Sequence, residues 1–205
     1  MRELPDPYVL AFLLLAAVAL MLSYNRLLVA VRGGVSCLHG LNGTQEMLGN
    51  KYICSSVRLA FFLLVPFYAL TLVLAGISTA GYAWTLAALA ALLLFRKLAC
   101  LLMGWLGSRP GAFRAVERTG YALGVLVILF SVPALLVGWL APESPRWLLW
   151  GLVLLPFAAG LYYYFRRGLS LLLQTEFSPF FWVLYLCALD ILPICVVVNR
   201  LFNGN

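Results

Sequence analysis

The fold is decided by one apolar stretch, YAWTLAALAALLLFRKLACLLMGW, which occupies residues 82–105 and carries the basic doublet Arg96-Lys97. A membrane helix that stopped before the doublet would have 14 residues, too few to cross a bilayer. A helix that continues to Trp105 separates Trp84 from Trp105 by 21 residues, or about 31 Å at helical rise. That length matches the hydrocarbon thickness and puts a tryptophan at each interface. We therefore predict that this span includes the doublet.

The composition indicates a membrane protein. Hydrophobic residues make up 64% of the 205-residue chain, and charged residues only 10%. Soluble domains contain about 25% charged residues. A soluble fold of this chain would therefore expose much apolar surface, and the bilayer is the better solvent.

Hydropathy predicts an all-α, polytopic transmembrane helical bundle that forms a single domain over residues 1–205. The segment 29–56 contains five glycines, which disfavour a continuous helix, and we predict that it is a cytoplasmic loop. The six predicted spans are about 8–25, 57–77, 82–105, 119–140, 147–165 and 179–201.

Lys and Arg residues are distributed unevenly over the two predicted sides of the membrane. Eleven fall on the side that carries the loops after spans one, three and five, and three fall on the other. By the positive-inside rule, the three basic loops are cytoplasmic and both termini are outside. A basic cytoplasmic face attracts anionic lipid headgroups, by roughly 1 kcal/mol per nearby cation. The net charge of +7 therefore requires no nucleic-acid partner.

Asp190 lies within the last predicted span, where an ionisable group is costly unless it is paired or solvated. Helical rise puts Asp190 about 16 Å and Arg96 about 13 Å from the same interface. We predict that Asp190 pairs with Arg96 or Lys97. The alternative is that the two basic side chains extend to the cytoplasmic surface and Asp190 is protonated or bound to water. Pro193 would free a backbone carbonyl beside the carboxylate and add polarity there.

Other motifs are weaker. Gly120 and Gly124 form a GxxxG pattern, which either allows close helix packing or is a chance match. The five cysteines and the single histidine, His39, lack the spacing of a zinc site, so we predict no metal and no cofactor. The sequence contains no GxSxG, HExxH, P-loop or dinucleotide-binding motif. An enzyme is therefore the less favoured class.

Two segments carry a resemblance to a known family. Leu94-Phe-Arg-Lys-Leu-Ala-Cys-Leu-Leu-Met-Gly-Trp-Leu106 is similar to the family's basic helix, and Tyr185-Leu-Cys-Ala-Leu-Asp-Ile-Leu-Pro193 is similar to its C-terminal signature. The family is an uncharacterised Bacteroidota inner-membrane family, known only as a domain of unknown function (number four-two-seven-one). The resemblance covers about residues 92–202. The family usually has Glu where this chain has Asp190. The resemblance implies a bacterial inner-membrane location and no particular activity.

Three functions are consistent with the sequence. The first is a non-enzymatic component of envelope biogenesis that binds membrane lipids, a membrane protein or further copies of itself. The second is a proton- or ion-coupled transporter or channel that uses Asp190 with Arg96 or Lys97. The third is a lipid-modifying enzyme with Asp190 as acid or base and Tyr185, Ser131 or Arg96 as the second polar group.

Overall fold

The structure, a computed structural model, describes residues 7–78, 81–106, 110–141 and 144–173. These residues are almost entirely helical, and they include no β-strand. The helices of the described ranges, in chain order, are α1 (Pro7–Leu22), α2 (Tyr24–His39), α3 (Leu41–Gly49), α4 (Lys51–Leu74), α5 (Tyr82–Leu106), α6 (Pro110–Leu140) and α7 (Arg146–Leu173).

Four helices, α4 to α7, are each long and apolar enough to cross a membrane. They contain the greater part of the four predicted spans from 57–77 to 147–165, and the all-α class is confirmed. α5 continues through the basic doublet to Leu106, as its paired tryptophans predict. The predicted span 179–201 lies outside the described residues.

The first predicted span, 8–25, differs from the structure. α1 ends at Leu22, and α2 leaves it at a bend of 80°. α1 has 16 residues, which is about 24 Å of helix and short of a full crossing. The described residues therefore contain four candidate spans, or five if α1 and α2 form one broken span.

The predicted loop 29–56 is helical in the structure. α2 and α3 occupy most of it, and the chain is interrupted at Gly40, whose φ is 150°, and at Asn50. The Asn50 side-chain oxygen accepts hydrogen bonds from the backbone N–H groups of Tyr52 (3.0 Å) and Ile53 (3.3 Å). This is an N-cap, and it explains why α4 starts there.

Glycines in α2 are packing positions, which is why the expectation of a loop fails. A Cβ at Gly33 would lie 2.8 Å from the Ile53 side chain, and one at Gly34 would lie 2.9 Å from the backbone oxygen of Ala122. α2 therefore fits closely between α4 and α6 because these positions lack a side chain. Tertiary contact offsets the low helix propensity of glycine.

α6 and α7 extend further than the predicted spans. α6 begins at Pro110, because proline is favoured in the first turn of a helix, where its missing N–H is not needed. α7 continues past Phe165, through Arg166 and Arg167, to Leu173. Both extensions are at the same end of the bundle and carry polar residues beyond the apolar spans.

α6 is the central helix and packs against α2, α4, α5 and α7. Its buried side chains include Val116 and Val125, which are fully enclosed. The Phe61 ring of α4 lies against Gly124 and 5.1 Å from the Tyr121 ring. The missing side chain at Gly124 thus makes room for the Phe61 ring at the α4–α6 contact.

The two ends of the bundle differ in charge. α4 and α6 begin, and α5 and α7 end, at one end, where the Arg118 guanidinium lies 3.9 Å from the Cys54 sulfur. We call this the basic end; its Lys and Arg residues include Lys51, Arg58, Arg114, Arg118, Arg166 and Arg167. At the opposite end, the Trp150 indole donates to the Ala75 carbonyl (2.9 Å) and joins α7 to α4.

Candidate functional site

Arg96 extends from α5 into the bundle, between α6 and α7. Its guanidinium carbon lies 4.6 Å from the centre of the Tyr164 ring, which is a cation–π geometry. A Cβ added at Gly120 would lie 2.8 Å from the same carbon, so the guanidinium occupies space that only glycine leaves open. The bundle therefore holds this cation by shape and by an aromatic face.

The two members of the basic doublet have different environments. Arg96 is half-buried, whereas Lys97 is exposed. Helical geometry explains this difference, because successive residues are rotated by about 100° around the axis. Arg96 is therefore the member that the structure places between helices.

The predicted partner residues Asp190, Tyr185 and Pro193 lie outside the described residues. The pairing of Asp190 with Arg96 or Lys97 stays a prediction.

Polar groups of α6 lie at the level of Arg96. The Tyr121 hydroxyl donates a 2.7 Å hydrogen bond to the Glu117 carboxylate, one helical turn away. Both residues are within one turn of Gly120, against which Arg96 packs. The layer around Arg96 is therefore more polar than the hydropathy of α5 alone predicts.

The two glycines of the GxxxG pattern serve two different helix contacts. Gly120 accommodates Arg96 from α5, and Gly124 accommodates the Phe61 ring from α4. In both contacts, a side chain from another helix of this chain fills the space that the glycine leaves open. Neither contact is the close backbone-to-backbone approach typical of GxxxG dimers.

A lateral groove lies between α6 and α7. It encloses a volume of about 520 Å³, and Phe130 and Leu155 on its walls are 65% and 72% exposed, so the groove opens outward. From Trp147 to Tyr163 it follows α7 for 16 residues, or about 24 Å. The lining residues are almost all apolar: Leu38, Leu123, Leu126, Val127, Phe130, Trp147, Leu148, Gly151, Leu152, Leu155, Pro156, Ala159, Gly160 and Tyr163.

One end of the groove lies at the basic end of the bundle. Tyr163 and Leu38 line it there, and Leu38 is the last but one residue of α2. Arg166 follows Ala159 by seven residues and Tyr163 by three, so it lies on the same face of α7. Arg166 is exposed. The groove therefore runs from a tryptophan at the opposite end to an arginine at the basic end.

Arg167 is a buried arginine that sequence reasoning missed. Its side chain is 8% exposed and donates to the backbone oxygens of Cys37 and Leu38, both at 2.9 Å. These carbonyls are at the C-terminus of α2, where a helix lacks internal donors and favours a cation. Arg167 therefore fixes α2 to α7. In the sequence, only the doublet Arg166-Arg167 indicates a buried arginine here. The same doublet is equally typical of exposed basic residues at a membrane interface.

The described residues contain no group of three or more His, Cys, Asp or Glu side chains that could hold a metal ion. Cys37 and Cys54 are free thiols. The His39 ring nitrogen Nδ1 lies 2.9 Å from the backbone oxygen of Val35, one turn earlier in α2.

Comparison of the chain with protein-family models, with curated proteins and with solved structures finds no match. The resemblance to the Bacteroidota inner-membrane family therefore stays a prediction.

Proposed function

We propose that this chain is a non-enzymatic integral component of the bacterial inner membrane, active in envelope biogenesis, and that it binds a membrane lipid or a membrane partner from the side. The α6–α7 groove carries the proposal. An apolar groove on a membrane helix bundle faces hydrocarbon, so its occupant comes from the bilayer. The basic end supports a cytoplasmic face, and the resemblance supports the inner membrane.

The test compares two neighbouring alanines of α7. Ala159 lines the groove, whereas Ala158 is exposed and does not line it. Ala159→Trp fills the groove with an indole, and Ala158→Trp adds the same indole outside it. Each variant is purified from native membranes in mild detergent, and co-purifying lipids and proteins are quantified by mass spectrometry.

The proposal predicts at least one lipid or protein that Ala158→Trp retains and Ala159→Trp loses. Identical profiles for both variants and the unmodified chain would contradict it. The folded yield of each variant is measured in parallel, so that a loss of folding is not counted as a loss of binding.

A second candidate function, a proton- or ion-coupled carrier, is favoured by the position of Arg96. A guanidinium held between three helices, with a carboxylate and a tyrosine hydroxyl within a turn of its contact on α6, could act as the switch partner of a titrating acid. Asp190 would be that acid. Flux is measured in vesicles that contain the purified protein. A carrier requires flux that Asp190→Asn abolishes, and the absence of any flux across a panel of ions and pH gradients argues against it.

A further inference from the structure

We propose that the α6–α7 groove binds an acyl chain of an anionic phospholipid, and that the Arg166 guanidinium contacts the phosphate of its headgroup. The proposal rests on the proposed function and names the ligand class of the same groove.

The dimensions of the groove fit a chain from one leaflet. The groove follows α7 for about 24 Å, and one leaflet contributes about 15 Å of a 30 Å hydrocarbon core. A chain that enters at the basic end therefore fits within the groove over its full length. Its methylene groups would contact Leu152, Leu155 and Val127 on the walls of the groove.

We call the end of the groove beside Arg166 its mouth. The charge there determines which lipid headgroup is favoured. Arg166 is exposed on the groove face of α7, one turn beyond Tyr163 and directly after the apolar part of the helix, where it would be within reach of a headgroup phosphate. Its neighbour Arg167 is already bound to two backbone carbonyls, so we assign the headgroup contact to Arg166. None of the described residues that line the groove is acidic. The mouth is therefore positive and complementary to an anion.

Arginine suits this role because its planar guanidinium donates two parallel hydrogen bonds to phosphate oxygens. A partner transmembrane helix is the competing occupant. Such a helix needs about 30 Å of apolar contact, and it would place apolar side chains rather than an anion beside Arg166. The basic mouth thus favours a lipid.

The first experiment measures binding of added lipid by native mass spectrometry. Delipidated protein is titrated with phosphatidylglycerol, which is anionic, and with phosphatidylethanolamine, which is zwitterionic. The unmodified chain and Ala158→Trp are expected to bind phosphatidylglycerol in preference, and Ala159→Trp is expected to lose that binding. Equal binding of phosphatidylglycerol by both tryptophan variants would overturn the proposal.

The second experiment isolates the headgroup contact. Arg166→Gln removes the cation at the mouth, and Arg114→Gln removes an exposed arginine at the same end but outside the groove. We expect about tenfold weaker phosphatidylglycerol binding for Arg166→Gln, because the guanidinium no longer contacts the phosphate, and a smaller loss for phosphatidylethanolamine, whose own ammonium group partly neutralises its phosphate. Arg114→Gln is expected to bind both lipids as the unmodified chain does. The same loss in both variants would show general electrostatic attraction and would overturn the site.

The two proposals can fail separately. If a protein co-purifies with Ala158→Trp but not with Ala159→Trp, and neither lipid binds at a saturable site, the groove is a protein-docking surface. The lipid inference is then wrong and the proposed function stands. If neither lipids nor proteins depend on the groove, both fail.

Discussion

Removal of the Arg167 guanidinium is expected to destabilise the protein more than any other single loss of charge among the described residues. In Arg167→Ala, the Cys37 and Leu38 carbonyls lose two charge-assisted hydrogen bonds, each at 2.9 Å. Hydrogen bonds to charged groups contribute about 1.5–3 kcal/mol each. The variant also no longer has to desolvate a buried cation, which offsets part of that loss. A net decrease of about 3 kcal/mol in unfolding free energy follows.

The matched control is Arg166→Ala, which removes the same side chain from the adjacent, exposed position. Exposed substitutions of this kind change stability by about 0.5 kcal/mol or less. Thermal unfolding in mild detergent measures both variants. For a chain of this size, 1 kcal/mol corresponds to about 2–4 °C, so Arg167→Ala should melt about 6–12 °C lower and Arg166→Ala within about 2 °C of the unmodified chain.

A second readout locates the effect in α2. Cys37 is fully buried beneath the contact with Arg167. In a chain where every other cysteine is replaced by serine, Arg167→Ala should speed alkylation of Cys37 well below the melting temperature. Arg167→Lys retains the charge but lacks the planar guanidinium, whose separate nitrogens reach the two carbonyls, and its melting temperature should fall between those of the two alanine variants. Equal melting temperatures for the two alanine variants would refute the idea that Arg167 fixes α2.

Three further predictions concern helix contacts. Gly34→Ala places a methyl group 2.9 Å from a backbone oxygen of α6 and should lower the unfolding free energy by about 1–3 kcal/mol. The control Gly111→Ala adds a methyl group in open space on a helix and should be neutral or slightly stabilising. Equal melting temperatures for the two variants would contradict this prediction. Trp150→Phe removes one buried hydrogen bond and should cost about 1 kcal/mol in the same assay. Asp190→Asn and Arg96→Gln should be non-additive in folded yield if the two side chains pair, and simple additivity would exclude coupling.

The sequence predicts spans well where hydropathy and tryptophan agree. α5 is the clearest case, because the spacing of Trp84 and Trp105 predicts a span that includes Arg96 and Lys97, and the helix contains both residues. Hydropathy cannot say which member of that doublet turns inward, since the answer depends on the rotation of α5 against Gly120. The inward position of Arg96 is a property of the packed bundle.

Glycine-rich and basic segments are where sequence reasoning fails. Gly33 and Gly34 disfavour a helix in isolation, but in the bundle they allow α2 to approach α4 and α6 closely, and that contact outweighs propensity. Arg166 and Arg167 are identical in type and adjacent in sequence, yet one is exposed and the other is buried. No local pattern separates them, because the separation is created by the C-terminus of α2.

The two arginines connect the groove to α2. Arg167 holds the Leu38 carbonyl, and the Leu38 side chain lines the groove. Arg166, one residue earlier in the same turn of α7, is exposed beyond that end of the groove. A ligand bound at the mouth would therefore contact a wall whose position depends on the Arg167 hydrogen bonds. This arrangement makes α2 part of the groove wall, although the glycines and polar residues of α2 are typical of a connecting loop.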